Sequence, residues 1–305
     1  MALYHNMHEL VGHTPIVELA RVNQEITSKI YAKLEYYNPA GSVKDRVGKY
    51  MIADAEAKGL LKPGATMVEA TAGNTGLGIA FAALEKGYRV IFVVPTKFSI
   101  EKQQLMMALG AEIINTPRED GMLGAAAKAE ELLNTIPDAI ALRQFKNQSN
   151  PQAHYETTGP EIYEDMKGDI DYIVLGAGSG GTLTGIVRYL KEKNPNIKAV
   201  LADPVGSTIG GGEHADYNIE GIGNDFIAET LDISLVDEVI KVNDDEAFDG
   251  ARQLARKEGI IAGSSSGAAY AAARKLANKV TNVNIVIVLP DRGDRYFSTG
   301  LWEKK

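Results

Sequence analysis

The sequence predicts an α/β protein of two doubly wound domains with largely parallel sheets. Three observations carry that expectation. Short apolar runs rich in β-branched residues alternate with longer amphipathic runs along most of the chain. The apolar runs are nearly continuous, as in strands buried on both faces of a parallel sheet. The alternation comes in two blocks separated by the polar stretch 146–154, and 305 residues is the length of about two domains.

In the first block, residues 65–69, 88–94, 111–115 and 139–143 predict strands. Between them, 76–86, 100–109 and 123–133 carry apolar residues at three- and four-residue spacing and predict helices. Gly87 and Gly110 follow the first two, where left-handed residues close helices. An earlier amphipathic run, 43–58, ends at Gly59 and has Ser42 and Asp45 in capping-box spacing, which makes Ser42 the expected N-cap. In the second block, 172–175, 198–201 and 285–289 predict strands, and 183–193, 246–258 and 267–279 predict helices.

Composition narrows the function classes. Lys and Arg total 32 against 40 Asp and Glu, a formal charge of −8, and no basic strip suits the chain to nucleic acid. The chain has no cysteine, which excludes a disulfide scaffold, thiolate metal sites and a cysteine nucleophile. Residues 1–17 lack the apolar core of a signal peptide. The longest apolar runs, 90–95 and 285–290, are too short for a bilayer. The expectation is a soluble cytoplasmic protein with no membrane partner. Glycine is the one excess, 31 residues of 305, or about a tenth against an average of about 7%.

Those glycines gather in loops that precede helices. Gly176-Ala-Gly-Ser-Gly-Gly181 satisfies G-x-G-x-x-G, and Asp203 follows 22 residues after the last glycine. That spacing suits a dinucleotide fingerprint, while the loop alone suits any phosphate, since free amides at a helix start bind anions. Thr182 adds a hydroxyl. Thr71-Ala-Gly-Asn-Thr75 offers small side chains and hydroxyls at another helix start, suited to a carboxylate or phosphate, or to a plain N-cap turn. Gly263-Ser-Ser-Ser-Gly267 resembles a nucleophile elbow centred on Ser265. No histidine follows it, so the hydrolase order fails and an N-cap cluster is the simpler reading. His8 and His13 lie one residue too far apart for a zinc-binding helix, so no metal is expected.

Lys44 sits in the expected first turn of the helix over 43–58, beside Arg46. A positive helix end and a neighbouring cation both disfavour an ammonium, lowering its pKa toward nucleophilic use. Most first-turn lysines are simply solvated. Four motifs in order change that weighting: Pro39-Ala-Gly-Ser-Val-Lys-Asp-Arg46, Thr71-Ala-Gly-Asn-Thr-Gly76, Gly178-Ser-Gly-Gly-Thr182 and Gly263-Ser-Ser-Ser-Gly267. Together the chain resembles the cysteine synthase and cystathionine β-synthase family of fold type II pyridoxal-phosphate enzymes, which share the tryptophan synthase β-like fold. The resemblance runs from Gly12-His-Thr-Pro15 to Leu289-Pro-Asp-Arg-Gly-Asp-Arg-Tyr-Phe-Ser-Thr299.

That resemblance implies pyridoxal 5′-phosphate as cofactor and Lys44 as both the catalytic residue and the cofactor's Schiff-base lysine. It implies that Gly178, Ser179, Gly180, Gly181 and Thr182 hold the phosphate, that Asn74 meets the ring hydroxyl and that Ser265 faces the ring nitrogen. It assigns Thr71, Ala72, Gly73, Asn74, Thr75 and Gln144 to the substrate carboxylate, and Gly221 and Gly223 to the substrate. A smaller mobile domain over 36–146 and a larger one of 1–35 plus 147–305 are implied, as is a homodimer. With motifs starting by Gly12 and the chain stopping at Lys305, neither a haem-binding extension nor a regulatory domain is expected.

Implied chemistry is β-replacement on an amino-acid donor, O-acetylserine or serine, by a thiol acceptor. Glu220-Gly-Ile-Gly-Asn-Asp-Phe226 and Ser99-Ile-Glu-Lys102 lean toward cystathionine formation from homocysteine, with cysteine from sulfide as a second product. A dedicated cysteine synthase is the near alternative. Ala72 stands where the family usually has serine, which leans the donor toward the acetyl ester. The remote alternative is an NAD-dependent oxidoreductase using Gly176–Gly181 and Asp203.

Overall fold

A computed structural model describes residues 3–96 and 98–303, so the outermost limits of the expected domains, 1 and 305, lie outside it. In chain order the elements are β1 (Ile16–Glu18), β2 (Lys29–Leu34), α1 (Lys44–Ala57), β3 (Thr66–Ala70), α2 (Asn74–Ala82), β4 (Arg89–Pro95), α3 (Ile100–Ala108), β5 (Glu112–Thr116), α4 (Gly121–Thr135) and β6 (Ala139–Ile140). There follow α5 (Ser149–Ala153), a π-helical turn His154–Thr158, α6 (Gly159–Asp165), β7 (Tyr172–Leu175), α7 (Gly181–Lys193), β8 (Lys198–Pro204) and β9 (Glu238–Val242). The chain closes with α8 (Asp244–Gln253), α9 (Ser264–Ala277), β10 (Asn284–Leu289) and 3₁₀ turns over Gly293–Thr299. No helix among the described residues is long and apolar enough to cross a membrane.

Two sheets form, as the alternating pattern requires. The smaller has the order β5-β4-β3-β6 and is parallel throughout. The larger has the order β1-β2-β10-β7-β8-β9 and is parallel except for β1, which pairs antiparallel with β2. Apolar residues on successive strand positions serve opposite faces. On β4, Phe92 and Val94 join Val47, Met51, Leu77 and Ile79 from α1 and α2, while Ile91 and Val93 join Ala125 and Ala129 of α4. On β10, Ile285, Ile287 and Leu289 meet α8 and α9, while Val286 and Val288 meet Leu183, Ile186 and Leu190 of α7. Each such side chain contributes about 1.5–3 kcal/mol by leaving water.

The differences from expectation have local causes. The strand expected over 139–143 pairs only through Ile140, because the Glu69 carboxylate accepts the Leu142 and Arg143 amides instead. Gly110 does close α3 with φ +88°, but α2 ends at Ala82, well before Gly87. The helix expected from 43 begins at Lys44, with Ser42 Oγ accepting the Lys44 amide at 3.2 Å. Gly263, not a serine, is the N-cap of α9. Strands β1, β2 and β9 went unanticipated: β1 has three residues, and Lys29 and Lys33 in β2 and Glu238 and Lys241 in β9 break the apolar run. The polar stretch 146–154 is not simply a connection, since it folds into α5 and the π turn.

Helices α1 and α2 cross at glycine. A Cβ on Gly48 would meet the Gly78 carbonyl, and one on Gly78 would meet the Lys44 carbonyl. This backbone-to-backbone approach brings the starts of both helices, with Lys44 and Asn74, to one place. Gly78→Ala gains about 1 kcal/mol of helix propensity but overpacks a backbone contact at about 3 kcal/mol. The variant is expected to be about 2 kcal/mol less stable in urea denaturation, and unchanged stability would contradict the close crossing.

Candidate functional site

Three helices start in loops rich in small residues, two of them directly behind parallel strands, and their free amides open on the cleft between the sheets. Behind β7, the amides of Ser179 to Leu183 donate to no acceptor among the described residues, and Gly180 adopts φ +80° to start α7. The glycines here are set by protein walls. A Cβ on Gly178 would meet the Gly221 carbonyl, one on Gly180 would meet Leu231, and one on Gly181 would meet Asn150. The side chains of Ser179 and Thr182 take hydrogen bonds from behind, Asn150 Nδ2 donating to Ser179 Oγ at 2.9 Å and Thr182 Oγ1 lying 3.1 Å from His154 Nε2. Free amides, hydroxyls and a positive helix end make this loop an anion site of phosphate character.

Behind β3, Thr71 to Thr75 turn into α2. Gly73 has open space where a Cβ would stand, and the amides of Ala72 to Thr75 donate to no acceptor among the described residues. Thr75 Oγ1 donates to Gln144 Oε1 at 2.5 Å. Gln144 is placed by the residues before it: Glu69 holds the amides of Leu142 and Arg143, and Arg143 adopts φ +57° to turn the chain. Burial pushes the Glu69 carboxyl up to about 7. Thr71 to Thr75 and Gln144 thus gather at one edge of the cleft, as a small carboxylate requires.

Lys44 is the first residue of α1, and its amine makes no hydrogen bond or ion pair among the described residues. Its pKa falls to about 8, as the sequence suggests, but the cause differs from the expected one. Burial lowers it, and the nearby Asp291 carboxylate partly opposes the fall. Arg46 is not among the groups that act on Lys44; its guanidinium is turned to Glu35 (2.8 Å) and Glu161 (2.6 Å).

The exit of β10 organises these loops. Pro290 accepts the Val43 amide at 2.8 Å, Asp291 accepts the Gly263 amide at 3.1 Å, and residues 291 and 292 bridge to 42 and 262. Asp291 Oδ2 accepts from Asn74 Nδ2 at 2.7 Å and Tyr296 OH at 2.6 Å, while Arg295 donates to Asn74 Oδ1 at 2.6 Å. Asn74 therefore keeps one amide hydrogen for another partner. Neither Asp291 nor Arg295 was given a role from sequence. A stretch reading Asp-Arg-Gly-Asp-Arg looks like solvated surface, yet Asp291 and Arg295 are buried.

The remaining candidates sort clearly. Ser265 is buried in the first turn of α9 with no hydrogen bond among the described residues, and Ser264 Oγ accepts the Glu220 amide at 3.0 Å. Gly221 (φ +85°) and Gly223 (φ +81°) shape a loop lying on the phosphate-type loop: the Gly223 amide donates to Ala177, and Asn224 donates to Gly178. Lys102 and Glu220, from the two segments that lean toward cystathionine formation, pair at 2.5 Å. Asp203 is fully buried and taken by Lys241 at 2.6 Å, so it offers nothing to a ribose. His8 bonds the Phe81 carbonyl, and no metal cluster exists among the described residues. A cavity of about 490 Å³ lined by His13, Glu18, Glu161, Glu164 and Asp165 contains none of these candidates, and its acidic wall repels anions.

Comparison with known proteins finds relatives over nearly the whole chain. The family model described as "Pyridoxal-phosphate dependent enzyme" matches residues 7–291. An O-acetylserine dependent cystathionine β-synthase of Bacillus subtilis is 48% identical over 304 residues, covering 99% of each chain. Cysteine synthase A of Escherichia coli is 45% identical, covering 96% of this chain and 93% of its own. Among solved structures, an O-acetylserine dependent cystathionine β-synthase from Helicobacter pylori superposes with a TM-score of 0.92 at 44% identity, covering 99% of this chain and 100% of that one.

Asp291→Asn keeps an acceptor for Asn74 and Tyr296 but removes the negative charge that opposes the fall of the Lys44 pKa. The midpoint for Lys44 in the pH profile of amine labelling is expected to move below that of the unsubstituted protein. A midpoint that stays or rises would contradict the assigned charge interaction.

Proposed function

The chain belongs to the family of pyridoxal-phosphate-dependent enzymes, and we propose that it catalyses β-replacement on O-acetylserine by a thiol. Homocysteine as acceptor gives cystathionine and sulfide gives cysteine; serine is a second donor. The observation that carries this reading is Lys44, an unpartnered amine whose pKa is lowered to about 8, placed where the starts of α1 and α2 meet.

The residues fit the cofactor on their own chemistry. The amides of Ser179 to Leu183 with the hydroxyls of Ser179 and Thr182 suit its phosphate. Asn74 has one free amide hydrogen for the ring hydroxyl, and the unbonded Ser265 hydroxyl suits the ring nitrogen. When bound, the cofactor withdraws electrons from the substrate Cα, which acidifies its proton and lets a group on Cβ depart.

The chain supplies the rest. Thr71, Ala72, Gly73, Asn74 and Thr75 hold the donor carboxylate through their amides, with Gln144 on the other side. Lys44 is available as a neutral amine around and above pH 8, so its Nζ accepts the Cα proton and later returns it. Ser265 is a hydroxyl, not a carboxylate, so it does not hold the ring nitrogen protonated, which favours prompt loss of the leaving group. Gly221 and Gly223 let the Glu220–Phe226 loop lie close to the substrate. The Lys102–Glu220 pair favours cystathionine formation over the near alternative of a dedicated cysteine synthase, because it joins the two segments that carry that resemblance. The bonded Asp203 speaks against the oxidoreductase reading. A reducing cytoplasm, suggested by the lack of cysteine, and a homodimer complete the proposal, as does a division into 36–146 against 1–35 plus 147–305.

Purified protein is expected to be yellow, and borohydride is expected to fix the cofactor on Lys44. Lys44→Ala should bind cofactor without that link and lose at least about a thousandfold in turnover, since it removes both attachment and proton transfer. A variant with full turnover would overturn the scheme. Ala72→Ser adds one hydroxyl near the donor, able to bond the free side-chain hydroxyl that serine has and the ester lacks, worth about 0.5–1.5 kcal/mol. It should raise kcat/KM for serine relative to O-acetylserine by about threefold to tenfold, measured with homocysteine as common acceptor.

A further inference from the structure

Behind the loop Gly178–Thr182 lies a layer of side chains with no role so far. Asn150 and His154 are both fully buried, on α5 and the π turn, and pack on the first turns of α7. Glycines permit the approach: a Cβ on Gly181 would strike the Asn150 amide, and one on Gly185 would strike Pro151 and His154. Asn150 Nδ2 donates at 2.9 Å both to the Gln144 carbonyl and to Ser179 Oγ. Since a carbonyl only accepts, the nitrogen must face Gln144, and Ser179 Oγ must be an acceptor toward Asn150. The Ser179 proton then points away from Asn150.

His154 makes a parallel argument. Its Nδ1 lies 2.9 Å from Thr158 Oγ1 and its Nε2 3.1 Å from Thr182 Oγ1. Thr158 is fully buried, and His154 Nδ1 is the only partner of its hydroxyl among the described residues. Were Nδ1 protonated, the Thr158 hydroxyl proton would have no acceptor in a site closed to water, an expensive arrangement. Thr158 therefore donates to Nδ1. The ring stays neutral, because burial and the charges of Lys44 and Arg46 hold its pKa well below the usual value. A neutral ring with Nδ1 accepting carries its proton on Nε2, and Nε2–H donates to Thr182 Oγ1. The Thr182 proton is left free to face the loop.

We propose that Asn150 and His154 are positioning residues that fix Ser179 and Thr182 as outward hydrogen-bond donors, making the loop specific for the phosphate ester of the cofactor. The assignment rests on the reading that this loop holds that phosphate. Every group lining the loop then donates: amides from Ser179 to Leu183 and both hydroxyls. Neither hydroxyl has to turn before the anion enters.

The test separates phosphate holding from general packing. The full chain, freed of cofactor, is titrated with pyridoxal phosphate and with pyridoxal, which lacks the phosphate. The unsubstituted protein is expected to prefer the phosphate ester strongly; equal affinities would defeat the loop reading itself, not the role of His154. His154→Leu is expected to cut that preference about tenfold with little change for pyridoxal. His154→Gln, which keeps an N–H for Thr182, should retain most of it. A preference untouched by His154→Leu, or equal losses for both ligands, would overturn the proposal. Nitrogen-15 NMR of the unsubstituted holoenzyme gives a check that needs no variant. His154 should show a protonated Nε2 and an unprotonated Nδ1, and the opposite tautomer or a charged ring would refute the assignment.

Discussion

The architecture depends on a guanidinium that has no access to water. Arg46 is about 1% exposed, and two carboxylates hold it: Glu35, behind β2, through Nε and Nη2, and Glu161 of α6 through Nη1 and Nη2. Lys33 of β2, also fully buried, adds a second cation 2.9 Å from Glu161. With Asp165, 3.3 Å from Lys33, three carboxylates face two cations, and neither cation is left unpaired. Burial alone would raise the carboxyl pKa values, but Arg46 outweighs it, with Glu35 lowered and Glu161 brought to about 2. Losing one partner from such a group leaves an unpaired buried charge, at about 3–5 kcal/mol. The network pins the first turn of α1 to the larger sheet, and Lys44 stands two residues from its centre.

A second constraint converts that pinned helix into a site. Central strands of both sheets end facing the same cleft, and ligands bind at such carboxyl ends in open α/β sheets. Residues 290–293, leaving β10, are hydrogen-bonded on one side to the turn before Lys44 and on the other to the turn before Ser265. Asp291 and Arg295 then grip Asn74 at the start of α2, tying the smaller sheet to the larger. One short segment thus sets the mutual position of Lys44, Asn74 and Ser265. A Cβ at Gly263 would strike Asp291 Oδ1 and Tyr296, which explains glycine at that N-cap.

Much of this was legible in the residues. Strands with continuous apolar runs, such as those around Phe92 and Ile287, were placed within a residue or two, because burial on both faces leaves no other composition. The loops at Thr71, Gly178 and Gly263 were visible because small residues between strand and helix leave amides free. Less legible were elements whose stability is borrowed. Strand β2 carries Lys33, which the Thr14 carbonyl and the distant Glu161 and Asp165 make tolerable in a core. Residues 146–154 read as a polar connection because the partners of Asn150 and His154 on α7 and its loop lie far along the chain. The cause of the lowered Lys44 pKa was misread for the same reason. Adjacency to Arg46 is local, but the carboxylates that hold its guanidinium come from the turn behind β2 and from α6.

The same long-range bonding gives the cleft mechanical continuity. Thr75, at the start of α2, donates to the Gln144 side chain at 2.5 Å, and the Gln144 carbonyl accepts from Asn150 at 2.9 Å. Asn150 donates onward to Ser179, whose carbonyl in turn accepts from Thr230 at 2.5 Å. The chain of bonds runs from the loop behind β3 to the loop behind β7, crossing between the sheets through buried or half-buried groups. Such groups have no water to exchange with, so a displacement at one end must be taken up by its neighbours. A carboxylate settling on Thr75 and Gln144 would therefore press on the same asparagine that orients Ser179. On the proposed reading, donor binding and phosphate holding would be joined by one amide side chain, small enough to sit against Gly181 and able to donate in two directions at once.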